Sequence, residues 1–78
     1  GQQKIEVTGN QAVTTPEVIS LLGASSGERY NLYHLQKNLS RLKDRYDSLG
    51  LKKVEVSIKE TGEGSNLTYL IEINEGST

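Results

Sequence analysis

Few side chains in this sequence are equipped for chemistry. His34 is the only histidine among 78 residues, and there is no cysteine. A structural zinc ion takes four nitrogen, sulfur or carboxylate ligands, and a nucleophilic triad needs a base that a third group holds in place. His34 stands between Tyr33 and Leu35 on a polar helix face with no such companions, so it reads as a surface residue. Glu6, Glu55 and Glu72 alternate with apolar residues and face outward from strands. There they sit across from Lys53 or Lys59, and cross-strand charge pairing accounts for them. The tripeptides Asn38-Leu39-Ser40 and Asn66-Leu67-Thr68 fit the glycosylation pattern, which is too short to carry weight. No catalytic residue, metal site or cofactor is expected.

Phosphate and nucleic-acid chemistry fare no better. Gly62-Glu63-Gly64 falls between two strand-like segments, not between a strand and a helix, and it carries a carboxylate. The KH type of RNA-binding domain clamps its ligand with a G-x-x-G loop between two helices. Here three residues, Ala24, Ser25 and Ser26, separate Gly23 from Gly27 where the clamp has two, and none of them is Lys or Arg. Nine basic against ten acidic residues leave a net charge of −1, which is no overall footprint for nucleic acid or an anionic membrane. A small nucleic-acid-binding domain would have to use the basic face of Lys37, Arg41 and Arg45. That is the alternative from a different class, and no nucleic-acid partner is expected.

The elements that would position any site follow from periodicity. Lys4 to Thr8 alternates, with Ile5 and Val7 on one side, and reads as a strand ended by Gly9-Asn10. A helix start follows. Either Thr15 is the N-cap with Pro16 at the first helical position, or Thr14 and Glu17 form a capping box. Val18, Ile19, Leu21 and Leu22 give this helix about two turns before Gly23. After a linker from Ala24 to Tyr30, Asn31 caps a second, longer helix that ends at Gly50. Its apolar residues Leu32, Leu35, Leu39, Leu42, Tyr46 and Leu49 are spaced 3, 4, 3, 4 and 3, one continuous stripe. Lys53 to Glu60 alternates with Val54, Val56 and Ile58 inward. A hairpin loop from Thr61 to Asn66 follows, and then a last strand with Leu67, Tyr69, Ile71 and Ile73 inward and Leu70 outward.

The order is β-α-α-β-β, which predicts an α+β fold: a two-layer sandwich of a three-stranded mixed sheet against two helices. Leu, Ile and Val make up 20 of the 26 apolar residues, and Trp, Phe and Met are absent. The core is therefore thin, with little room for an enclosed catalytic pocket. No apolar run approaches the roughly 20 residues that cross a bilayer as a helix. The opening GQQKIEV has neither the basic nor the apolar region of a secretory leader. A binding or scaffolding module fits these limits better than an enzyme does.

The ordered set of residues also resembles a family. It runs from Ile5-Glu-Val-Thr-Gly-Asn10 through Thr15-Pro-Glu-Val-Ile-Ser-Leu-Leu and Gly27-Glu-Arg-Tyr-Asn31. It continues with Leu35, Leu39 and Leu42 to Tyr46-Asp-Ser-Leu-Gly50, and closes on Leu70-Ile-Glu-Ile-Asn-Glu75-Gly76. This is similar to the POTRA (polypeptide-transport-associated) domain of BamA-like outer-membrane assembly factors, over about residues 4–76. One departure is Leu51, where the family commonly has an aromatic residue.

The resemblance implies the same β-α-α-β-β order and no catalytic residues. It implies a periplasmic module, one of several in tandem ahead of a membrane β-barrel, that receives unfolded outer-membrane proteins or partner lipoproteins. Related domains occur in two-partner secretion transporters and in a division protein, where the module would act as a scaffold. Family members often bind by strand addition at the second strand. The expected peptide-binding edge is thus Lys53, Val54, Glu55, Val56, Ser57, Ile58 and Lys59. Residues 1–3 read as a start outside the domain, and residues 77–78 as a tail toward a following domain.

Overall fold

The computed structural model describes residues 3–25 and 29–76. The expectations for residues 1–2 and 77–78, and the middle of the linker at residues 26–28, lie outside the described residues. The first strand, β1, covers Gln3–Thr8 and starts one residue before the expected Lys4. Ile5 and Val7 are half-buried toward the helices, while Lys4, Glu6 and Thr8 are exposed. The chain then reverses at Gly9, whose φ of +84° suits glycine. A side chain there would also collide with the Ile73 carbonyl oxygen.

Helix α1 spans Thr15–Leu21. Thr14 is its N-cap, and the hydroxyl accepts the Glu17 N–H at 3.3 Å, with Pro16 in the first turn. The Glu17 carboxylate, which would complete a capping box, instead receives Arg45 Nε at 2.6 Å.

The expected single long helix is divided. Helix α2 is Leu32–Lys37, started by Asn31, whose Oδ1 accepts the His34 N–H at 2.7 Å. Helix α3 is Leu39–Ser48. Between them the Asn38 N–H reaches back to Leu35 O at 3.2 Å, and the Asn38 carbonyl receives the Arg41 N–H at 3.1 Å. Both bonds span three residues, so the turn tightens locally in the 3₁₀ manner. The cause lies in the Asn38 side chain. Its Nδ2 donates to Leu22 O and to His34 O, both at 3.1 Å, which ties the break to the end of α1. The leucine stripe survives the break: Leu35, Leu42 and Tyr46 are fully buried, Leu32 and Leu39 half-buried. Leu49 is exposed. Leu51 packs against the core at the aromatic position of the family pattern, and its N–H bonds Tyr46 O at 3.0 Å.

Strands β2, Glu55–Glu63, and β3, Asn66–Asn74, form an antiparallel hairpin. The six-residue loop expected from Thr61 to Asn66 is a two-residue turn, because β2 continues through Thr61, Gly62 and Glu63. Gly64 takes the first turn position with φ +61°, the conformation a tight hairpin turn requires there. The strand order is β1-β3-β2, with β1 parallel and β2 antiparallel to the central β3. Tyr69, Ile71 and Ile73 of β3 are buried under the helices with Val18, Leu22 and Leu42. Tyr30 lies against Tyr69 with ring centroids 5.6 Å apart, tilted by 59°. The fold is the expected two-layer α+β sandwich: a three-stranded mixed sheet against a helical layer.

Candidate functional site

The sheet leaves two edges. β1 has six residues, and its first is fastened: the Gln3 side chain donates Nε2 to Tyr30 O and accepts the Tyr30 N–H. β2 has nine residues, and its outer side pairs with no strand among the described residues. At about 3.3 Å per residue this is an edge of roughly 30 Å. A two-residue hairpin turn closes on a hydrogen-bonded pair, here Glu63 and Asn66, and the register runs back without a bulge to Glu55 and Asn74. The backbone groups of Glu55, Ser57, Lys59, Thr61 and Glu63 therefore turn to β3. By the same alternation, the N–H and C=O groups of Val56, Ile58 and Glu60 turn to the free edge.

Five of the seven residues expected at the edge lie in β2, while Lys53 and Val54 lie in the segment just before it. Val54, Val56 and Ile58 are half-buried and pack against the core. Glu55, Ser57 and Lys59 are exposed on the opposite face. Lys59 Nζ sits 3.2 Å from Glu72 Oε1, the cross-strand ion pair that the alternation predicted. A shallow hollow at the start of β2 is lined by Glu55, Val56, Ser57, Glu72, Ile73 and Asn74.

The other residues considered for chemistry have structural tasks. His34 is half-buried instead of lying on the surface, and its Nε2 is 3.2 Å from Gly23 O at the end of α1. Of the basic helix face, Arg45 is held by Glu17, and Lys37 and Arg41 remain exposed. Lys52 pairs with Asp47 at 2.8 Å.

One cluster escaped the reading by periodicity. The Glu75 carboxylate, through Oε2, accepts the N–H groups of Gln11 and Ala12 at 2.8 and 2.9 Å and the Tyr46 hydroxyl at 2.8 Å. Burial pulls the Glu75 pKa upward, but the Ala12 N–H, the Tyr46 hydroxyl and the Gln11 N–H together outweigh it and hold the carboxyl below its ordinary range. Burial and the Glu75 carboxylate push the Tyr46 hydroxyl well above its ordinary value. The local signal is the closing Glu75-Gly76. Its partners are 29 and 63–64 residues away, beyond the reach of any periodicity.

These residues fasten the domain and expose a strand edge; they do not converge on a reacting atom. The family model described as "POTRA: Surface antigen variable number repeat" matches residues 3–76. The comparison with curated proteins and the comparison with solved structures each return no match. With the family match spanning nearly the whole chain and the fold agreeing, the chain belongs to the POTRA family, whose domains are non-enzymatic, protein-binding scaffolds in outer-membrane protein assembly or secretion.

Proposed function

We propose that this chain is a periplasmic POTRA module of a BamA-like assembly factor. It binds unfolded outer-membrane polypeptides or partner lipoproteins by strand addition along β2. The observation that carries this reading is the edge itself: nine residues long, unpaired on its outer side among the described residues, with the backbone groups of Val56, Ile58 and Glu60 turned outward. An extended peptide pairs with such groups through its own backbone, and its alternate side chains then meet Val56 and Ile58 on one face and Ser57 and Lys59 on the other. Neighbouring POTRA domains and a membrane β-barrel would supply the avidity that one short edge lacks.

The test is an NMR titration with peptides taken from outer-membrane β-strands. The amides of residues 53–60 should shift, those of Val56, Ile58 and Glu60 most. If they stay unmoved at millimolar peptide while another surface responds, the edge is not the binding site.

A further inference from the structure

On the helix side of β2 the side chains run Val56, Ile58, Glu60, opposite Ile73, Ile71 and Tyr69. Two half-buried apolar residues are followed by a carboxylate on the same face. Glu60 is exposed and makes no ion pair among the described residues. Beside it the Tyr69 hydroxyl is fully buried and has no hydrogen-bond partner among the described residues. Burial raises the Tyr69 pKa to about 12, and the nearby Glu60 carboxylate adds to the effect while the Gln3 side chain opposes it. One corner of the free edge thus combines an uncompensated negative charge, an unsatisfied hydroxyl and open backbone groups.

An inward-pointing charge on an edge strand discourages indiscriminate pairing. A strand laid there with an apolar side chain beside Glu60 would strip water from the carboxylate and return nothing. A strand with a cation at that place would supply the missing partner. We propose that Glu60 sets register and specificity on this edge: it admits an extended peptide that places Lys or Arg beside Glu60 and apolar side chains beside Ile58 and Val56. This inference rests on the strand-addition reading and adds the chemistry of the strand that fits.

The test uses the 78-residue chain and two ten-residue peptides of alternating Val and Thr, identical except for Lys or Glu at one inward position. Amide shifts of β2 report binding to wild type, Glu60→Gln and Glu60→Lys. The Lys peptide should bind wild type about three- to tenfold more tightly than the Glu peptide, the range for a partly exposed charge pair. That preference should vanish in Glu60→Gln and invert in Glu60→Lys. Equal shifts for both peptides in all three proteins overturn the role of Glu60 and leave strand addition standing. No edge shift with any peptide overturns strand addition, and this inference with it. Independently, Glu60→Val should self-associate in analytical ultracentrifugation at concentrations where wild type is monomeric. A monomeric Glu60→Val would show that the carboxylate does not guard the edge.

Discussion

Glu75 ties three parts of the chain together. A single carboxylate oxygen collects three donors, from the loop after β1 and from α3, and so fastens the end of β3 to both. Its folded-state pKa lies below the ordinary value of 4.5, so the sign of its contribution is fixed. The stabilisation is complete above the unfolded-state value and is lost as pH falls through the folded-state value. Urea midpoints measured between pH 7 and pH 3 should therefore drop at the acid end. Glu75→Gln should lower stability at pH 7 by about 1–3 kcal/mol, the cost of weakening hydrogen bonds to a charged acceptor, and should flatten the acid drop. An unchanged acid drop in Glu75→Gln would assign it to other carboxylates.

At the scale of elements, the break at Asn38 is the instructive feature. Asn38→Ala should destabilise the fold by about 1 kcal/mol in chemical denaturation. Alanine is the better helix former, but the Leu22 carbonyl loses its donor at the end of α1. A gain in stability would mean that water replaces the amide without cost.

The same residue shows what the sequence makes legible. Leucines spaced 3 and 4 apart trace the buried stripe correctly as far as Tyr46, with only Leu49 exposed, and pass through the break unaltered, because Asn38 is not part of the stripe. Only the fold places α1 where an amide at position 38 can reach its last carbonyls. The strands were legible because Ile5, Val7, Tyr69 and Ile71 obey a period of two. The hairpin turn was less so: Gly62 and Glu63 have weak strand propensity, and their pairing with Leu67 and Asn66 keeps them extended. The candidate edge was legible as a strand. Its position beside β3 instead of between two strands depends on long-range pairing, and Glu60 becomes distinctive only once that position is known.

The whole molecule is elongated, about 41 × 20 × 19 Å, with one thin core beneath the sheet. Leu42 is fully buried, and Leu42→Ala should cost about 2–5 kcal/mol. A chain of 78 residues has about 4–12 kcal/mol in total. The variant should therefore show a melting temperature lowered by roughly eight degrees or more, on the order of 4–8 °C per kcal/mol. A shift of only a degree or two would mean that neighbouring leucines close the gap.

The central position of β3 also governs the order of events when the chain is made. Gln3 pairs with Leu67 and Thr8 with Glu72, so the first strand finds its neighbour only after nearly every other residue has appeared. Until then β2 has no partner either, and α1, at about two turns, has no sheet to lie on. A chain emerging from its N-terminus cannot complete its sheet until the final strand arrives. Such late closure is slow by the measure of contact order.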